Sequence, residues 1–317
     1  MSAPPSGPSA RWSTAPPPGV EHGYPLARLT TVRTGGAAEL FARAGTLERL
    51  EELVTWATAE RVEVGVVGSG SNLLVADEGV CGLVVKLDKD LAQIELDGRR
   101  INCGGGARLP AVAARAAHAG LSGIEFGVNI PGTVGGAVKM NANAYRGELA
   151  SVLAWVDVVT GAGTARRAPQ ELGFAYRRSN LAPGEIVARA SFALAPAEPE
   201  AVRATLADMR AWRKAAQPSG IKTFGSTFKN PDDARAEGRT AGQLLDAAGC
   251  RGLRIGGASF SSKHANFIEN HGEATTADVV ALMAEGRRRV HERFGIALEA
   301  EVQALGPVAL PEDWRSR

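Results

Sequence analysis

Two glycine-rich loops punctuate this chain. Val67-Gly68-Ser69-Gly70-Ser71-Asn72 follows the apolar run Val62 to Val67 and leads into Leu73-Leu74-Val75. Roughly sixty residues later comes Ile130-Pro131-Gly132-Thr133-Val134-Gly135-Gly136-Ala137. Glycine lets a backbone turn tightly and lie close to a ligand, so that successive N–H groups point at one anion. Ser71 and Asn72 add side-chain donors. Two such loops suit a ligand with a pyrophosphate and a large planar end, such as a dinucleotide.

Glycine makes up 38 of 317 residues, so either loop alone is weak support. The first is not a Rossmann fingerprint: the G-x-G-x-x-G spacing is absent, and a strand rather than a helix is expected to follow. No Gly-Lys-Ser/Thr follows, which excludes a P-loop. A dinucleotide is therefore expected to be held by backbone turns between strands.

The length allows two domains with ample core. Lys plus Arg number 36 and Asp plus Glu 34, a net charge of +2, which calls for neither nucleic acid nor an anionic membrane. Arg287-Arg288-Arg289, with Glu285 and Glu292 nearby, reads as a solvated helix face. Cys81, Cys103 and Cys250 are odd in number and lack zinc spacing. We expect no metal site and three buried thiols, in keeping with a reducing cytoplasm. Residues 1–22 are rich in Pro, Ser, Ala and Gly, lack the apolar core of a signal peptide and read as a disordered tail. No stretch approaches the length of a membrane span.

Periodicity predicts an amphipathic helix over Leu47 to Ala59, strands over 62–67 and 82–87, and a hairpin at 94–103 turning on Asp97-Gly98. An Ala-rich helix runs from Leu109 to Ala119 and stops at Gly120. Strands follow at 152–160 and 186–194. The break Ala195-Pro196-Ala197-Glu198-Pro199 is expected to separate a strand-rich part, 23–197, from a smaller α/β part, 198–306, with 307–317 as a C-terminal tail. In the smaller part helices are expected at 200–215, 240–248 and after the Thr275-x-x-Asp278 start, the last ending at Gly295. Leu298 to Leu305 reads as a closing strand. The fold class is α+β.

Three segments carry chemistry-capable side chains: Phe174-Ala175-Tyr176-Arg177-Arg178-Ser179, Phe224-Gly225-Ser226-Thr227-Phe228-Lys229-Asn230-Pro231, and Leu298-Glu299-Ala300-Glu301-Val302. In the last, alternation puts Glu299 and Glu301 on one strand face. Taken singly, their spacing favours the plainer readings: surface arginines, a polar turn and a solvated strand face.

Taken together, and with Thr31-Val32-Arg33-Thr34-Gly35-Gly36, the Met140-to-Tyr145 segment and His264-Ala265-Asn266-Phe267-Ile268, these motifs occur in an order that resembles the UDP-N-acetylenolpyruvoylglucosamine reductases, the MurB flavoenzymes of cell-wall synthesis. The likeness runs from about residue 24 to 306. It implies an FAD-binding domain of the vanillyl-alcohol-oxidase (PCMH) type, a substrate-binding domain after it, and a cytoplasmic monomer using NADPH and a UDP-sugar. The resemblance places FAD along Gly68, Ser69, Gly70, Ser71, Asn72, Ile130, Pro131, Gly132, Thr133, Gly135, Gly136, Ala137 and Ile186.

The implied reaction takes hydride from NADPH to the flavin N5 and then to the methylene carbon of an enolpyruvyl ether of UDP-N-acetylglucosamine. Negative charge builds on the neighbouring carbon and its carboxylate before protonation. By the family motif Ser226 donates that proton, and Arg177 and Glu301 sit at the substrate carboxylate. The types suit the demand: a preorganised guanidinium stabilises delocalised charge, and a Glu helps there when burial keeps it protonated or proton-sharing. Asn230 matches a substrate diphosphate contact, with Arg251 and His264 near the same site; a structural role is the alternative for His264.

Departures from the family pattern are Asn129 and Asn143, each where Gly is usual, and Ala300 where Pro is usual. Asn tolerates positive φ best among non-glycine residues, so both asparagines are expected to keep the backbone while altering a side-chain contact. The run Gln217 to Thr223 before the serine loop also departs from the usual pattern. The short spacing from Arg177 to Ser226 points to the type II-like form without an inserted tyrosine loop. Two other readings are an oxidase on the same scaffold, which predicts oxygen consumption with a sugar, and a flavin-binding protein without turnover.

Overall fold

The computed structural model describes residues 12–314. Its first sheet orders strands Glu21–Pro25, Ala37–Ala44, Val80–Leu87 and Val64–Val66, antiparallel for the first pair and parallel thereafter. Helix α1 (Leu47–Ala59) covers it, capped by Thr46 and burying Leu50, Leu53, Val54 and Ala57. Full burial of a Leu of this kind contributes about 1.5–3 kcal/mol.

The second sheet is antiparallel, ordered Gly163–Arg167, Leu153–Thr160, Ile186–Ala193, Arg100–Gly104 and Ile94–Asp97. Its 94–104 hairpin turns on Gly98-Arg99, one residue later than expected. Gly98, at φ +58°, is the first loop residue and Arg99 has no positive φ, the type II′ arrangement in which glycine takes that position. Helix α2 (Leu109–His118) packs on this sheet and ends before Gly120, at φ +67°.

The second glycine loop runs into a short helix, α3 (Val134–Lys139), so only the first loop lies between strands. Helix α4 (Pro199–Ala216) buries Val202 and Leu206 in the core that holds α2 and the second sheet. The break at 195–199 therefore does not mark the change of core. The apolar stripe of α4 faces back toward α2, and the chain leaves that core only after Ala216.

The last core gathers α5 (Ala241–Ala247), α6 (Thr276–Phe294) and a three-stranded antiparallel sheet of Arg254–Ile255, Ala258–Phe260 and Ile268–Asn270. Thr275 and Asp278 form the expected capping box, and Gly295 takes the left-handed C-terminal position. Arg288 is exposed and pairs with Glu285 and Glu292, as the solvated-face reading expects, whereas Arg287 and Arg289 are half-buried and donate to Leu298 O and Gly249 O. The closing strand is only Gln303–Leu305. It pairs in parallel with Leu73–Val75, directly after the first glycine loop.

The two parts are stitched together by polar groups, exposed at Asp77 and buried at Thr276 and Asn270. Asp77 accepts from the N–H groups of Thr276 and Ala277 at 2.8 and 2.9 Å, closing the orphan donors of α6. Thr276 Oγ1 donates to Val75 O at 2.6 Å, and Asn270 Nδ2 to Val32 O at 2.8 Å.

Three expectations are corrected. Residues 1–11 of the proline-rich tail lie outside the described residues, but Trp12 packs edge-on against Trp56 and the Ser13 and Thr14 hydroxyls donate to Glu60. In the C-terminal tail Val308, Leu310 and Trp314 are buried in the last core; residues 315–317 lie outside the described residues. Cys103 and Cys250 are buried, whereas Cys81 is exposed, because its strand starts at Val80 and alternation turns Cys81 outward. No helix among the described residues is long and apolar enough to cross a membrane.

Candidate active site

The glycine loops meet. A Cβ on Gly68 would lie 2.4 Å from Thr133 Oγ1, and Ser69 Oγ donates to Pro131 O at 2.6 Å. Gly70 has φ +64°, and a Cβ there would come within 2.0 Å of Leu29 O. The Thr31 N–H donates to Gly70 O at 3.0 Å and the Thr31 hydroxyl to Thr223 O at 2.6 Å, tying the first loop to the approach of the serine loop. Lys222, opposite Asn270, anchors that approach despite its unusual sequence.

The five consecutive N–H groups of Gly68 to Asn72 donate to no acceptor among the described residues. That arrangement is a cradle for an anion. Lys86 Nζ lies 2.5 Å from Gly68 O, and burial holds its pKa below the usual lysine value. In the second loop Gly132, Thr133 and Gly136 likewise keep their N–H groups unpaired among the described residues. Val134 and Gly135 donate to Ala107 O and Gly105 O, so those two N–H groups serve packing. Ala137 is buried in the core behind the loop. Ile186 is buried under α1, on the opposite strand face from Val187, and its side chain is not brought to the loops. Ile130 is half-buried at the loop's start.

Arg177 occupies a four-residue turn in which Ala175 and Arg178 exchange backbone hydrogen bonds. Its φ of +56° is uncommon for a side chain of this size. The turn aims the guanidinium inward: Nε donates to Glu301 Oε1 at 2.6 Å and Nη1 to Asn143 O at 3.2 Å. Glu301 descends from the alternation read in its segment, with Leu298, Ala300 and Val302 buried on the other face. Burial pushes the Glu301 carboxyl above its ordinary value, opposed by Arg177 and then Lys229. Lys229 is buried, with Nζ 3.6 Å from Glu299 Oε2. Arg177 also borders a cavity of ≈ 290 Å³ whose walls include Lys139, Arg178 and Gln303.

Ser226 sits in a short extended segment between two others. On one side it stands opposite Phe267; on the other, Glu301 N donates to Thr227 O at 2.9 Å and Phe228 stands opposite Ala300. Asn72 Nδ2 donates to Glu301 O at 3.2 Å. The first glycine loop, the serine segment and the Arg177–Glu301 pair are thus one hydrogen-bonded unit. A Cβ on Gly225 would lie 3.7 Å from Ser71 O.

The proposed diphosphate contacts are mixed. Asn230 Oδ1 accepts from Ala241 N at 3.1 Å, at the start of α5. Tyr176 is about half exposed, and its partial burial raises the phenol above its usual value. Arg251 and His264 are close together, but Arg251 is bound by both oxygens of Asp246 at 2.7 and 2.6 Å and by the carbonyls of Ser262 and Lys263. His264 Nδ1 accepts from Asn266 N at 3.2 Å, and burial lowers its pKa. Both residues have structural duties.

Neither asparagine departure works through positive φ. Asn129 Nδ2 donates to Tyr145 Oη at 2.7 Å and Met209 O at 2.8 Å, fastening the second loop to α4. Asn143 lends its carbonyl to Arg177. Ala300 uses an N–H that proline lacks, donating to Trp314 O at 2.8 Å. The roles of Asn143 O and Asn266 escaped sequence reasoning. A polar residue inside the apolar run Ala265 to Ile268 was the one available signal.

Residues 38–168, which hold both glycine loops, match the FAD binding domain family, so the scaffold is that of a flavoprotein. Residues 217–305 match the family described as UDP-N-acetylenolpyruvoylglucosamine reductase, C-terminal domain. A UDP-N-acetylenolpyruvoylglucosamine reductase 2 of Symbiobacterium thermophilum is 43% identical over 289 residues, covering 90% of this chain and 92% of that protein. The reductase of Acidiphilium cryptum is 45% identical over 283 residues, 89% of this chain and 90% of its own length. The crystal structure of the Thermus caldophilus reductase (MurB) superposes with a TM-score of 0.78 at 40% identity, covering 90% of this chain and 98% of that one. The chain belongs to the UDP-N-acetylenolpyruvoylglucosamine reductase family, and it is an FAD-dependent oxidoreductase with the flavin-binding fold the resemblance implied.

Proposed function

We propose that this protein reduces the enolpyruvyl ether of UDP-N-acetylglucosamine to UDP-N-acetylmuramate for peptidoglycan synthesis, using NADPH and FAD, with Ser226 as proton donor. The observation that carries the reading is the tie of Glu301 N to Thr227 O beside Ser226, with Arg177 bonded to the Glu301 side chain. FAD suits the residues present: the row of N–H groups from Gly68 to Asn72 offers donors to a pyrophosphate. Held there, FAD would supply the hydride chemistry that links NADPH to the enol-ether methylene carbon.

The electron pair displaced from the double bond moves toward the α-carbon and its carboxylate. Glu301 and Asn143 O fix the plane of the Arg177 guanidinium, leaving Nη2 for the carboxylate in which that charge collects. Burial raises the Glu301 carboxyl above its ordinary value, against the pull of Arg177, which lessens its repulsion of the substrate carboxylate. Ser226 gives its proton to the α-carbon, which is basic enough at that moment to take it. We place the division of labour near residue 217, with the flavin held by the earlier residues and Ser226 and Glu301 supplied by the later ones. The reading carries with it a cytoplasmic monomer, a setting in which unpaired thiols persist.

The test is an anaerobic titration of flavin absorbance. NADPH bleaches the oxidised band, and the enolpyruvyl UDP-sugar restores it. Ser226→Ala leaves the bleaching rate and slows recovery by about 10²- to 10⁴-fold. Equal slowing of both phases removes Ser226 from the donor role. Bleaching without recovery in the unaltered protein removes the substrate.

A further inference from the structure

Asn266 is buried, and its side-chain amide is directed at the serine segment. Its Oδ1 accepts from Phe228 N at 2.9 Å, and its Nδ2 donates to Phe228 O at 2.8 Å. An amide bonded in this way to both backbone groups of one residue takes the place of a rung in a strand ladder. The Asn266 main chain adds another bond, its carbonyl accepting from Thr227 N at 2.8 Å. One residue therefore holds the segment at three points on this edge. The opposite edge is held by Glu301 N to Thr227 O and Lys229 N to Glu299 O, each 2.9 Å.

The Ser226 hydroxyl makes no hydrogen bond among the described residues, so its place is set through the backbone of its own segment. A slip of one residue in an extended segment moves a side chain to the opposite face. Here that replaces Ser226 by Gly225, which has no hydroxyl, or by Thr227, whose hydroxyl sits on a β-branched, rotamer-restricted carbon. A side-chain amide that recognises Phe228 by both its N–H and its C=O blocks that slip. His264, whose Nδ1 accepts from Asn266 N, steadies the clamp in turn.

We infer that Asn266 is a positioning residue for the proton donor: its amide fixes the register of residues 226–228 and thereby the placement of the Ser226 hydroxyl relative to Glu301. The inference rests on the reading of Ser226 as donor.

Asn266→Asp supplies the test, because a protonated carboxyl reproduces both bonds of the amide and a carboxylate repels Phe228 O. Burial raises the pKa of such an aspartate. His264, Lys229, Glu299 and Glu301 also face this region from the segments around it, so the profile is read as a difference from the unaltered holoenzyme. Flavin recovery with the enolpyruvyl UDP-sugar is expected to be slowed about 100-fold at high pH, and to regain speed as pH falls. Flavin bleaching by NADPH stays within about threefold. Amide hydrogen exchange across 225–229 accelerates along the same pH profile, an observable that does not depend on turnover.

In the Ser226→Ala background, Asn266→Asp adds no further slowing, since a residue acting through the donor has nothing left to position. Unchanged recovery at every pH overturns the inference, as does equal slowing of both half-reactions or multiplicative slowing in the double variant. If Asn266→Asp loses its flavin, Asn266→Ser, which is smaller and keeps a hydroxyl, is read by the same ratio of half-reactions. If Ser226→Ala alone shows no selective loss of recovery, the donor reading fails first, and that outcome is separate from these.

Discussion

Arg177 Nε reaches Glu301 Oε1 at 2.6 Å, linking residues 124 apart in the chain. Both side chains are mostly buried, at 18% and 14% exposed. A buried pair is weak support for stability, and this one is held by a residue in an uncommon backbone conformation. Arg177→Lys is the sharpest probe of it. A lysine keeps the charge but cannot hold Glu301 and Asn143 O in one plane and still face a carboxylate. Recovery of flavin absorbance with the UDP-sugar is expected to fall by about 10²- to 10³-fold, with bleaching by NADPH far less affected. Stopped-flow absorbance separates the phases, and equal slowing of both contradicts the role.

Glu301 also makes a prediction about stability. Its folded pKa is raised by burial, so the folded protein holds this proton more tightly than the unfolded chain does. Its contribution is present at low pH and is lost as pH rises from the ordinary carboxyl value through the raised one. Glu301→Gln removes the titration. The urea midpoint of the glutamine variant is expected to gain on that of the unaltered apoprotein as pH rises from about 4 to 8. A gain that shrinks with pH means that the attraction of Arg177 outweighs burial.

How much of this was legible in the sequence depended on range. Helix α1 lies where its stripe of Leu50, Val54 and Ala57 put it, and α6 starts at its Thr275–Asp278 box, because periodicity and caps act within a few residues. The alternation from Leu298 to Val302 also carried through. What failed was contact over distance. Nothing local in α4 says that Val202 and Leu206 face α2, or that Trp314 returns to Ala300. The positive-φ half of the reading of Asn129 and Asn143 failed, since neither takes that conformation, whereas the altered side-chain contact is found at Asn129, which reaches α4, and Asn143 works through its carbonyl. Arg251 was read without Asp246, the partner that occupies it. The motif resemblance brought Arg177, Ser226 and Glu301 to the page, but not the clamp on the serine segment.

The cysteines separate by chemistry. Burial pushes the Cys103 thiol up to about 12 and the Cys250 thiol up to about 11, whereas Cys81 is exposed. Since the thiolate is the reactive form, one thiol per native chain is expected to react with a disulfide reagent at about pH 8, and Cys81→Ser abolishes that reaction. Denaturant releases all three. A second fast thiol in the native protein means that one of the cores opens on the timescale of labelling.

The glycine loops allow packing and ligand binding to be told apart. Gly70 has both a positive φ and a backbone oxygen 2.0 Å from any added Cβ, so Gly70→Ala distorts the first loop against Leu29 and lowers stability even without FAD. At Gly132 the nearest atom to an added Cβ is Ile130 Cγ2 at 3.7 Å, and its φ is not in the left-handed region. Gly132→Ala is therefore expected to leave the melting temperature of the apoprotein within about 2 °C of the unaltered value. Any loss of FAD affinity in that variant then reports the close approach of the cofactor to this N–H. Fluorescence titration of apoprotein with FAD measures it. An alanine variant that binds FAD as tightly as the unaltered protein removes Gly132 from the phosphate cradle, while the unpaired N–H groups of Gly68 to Asn72 keep the first loop in it.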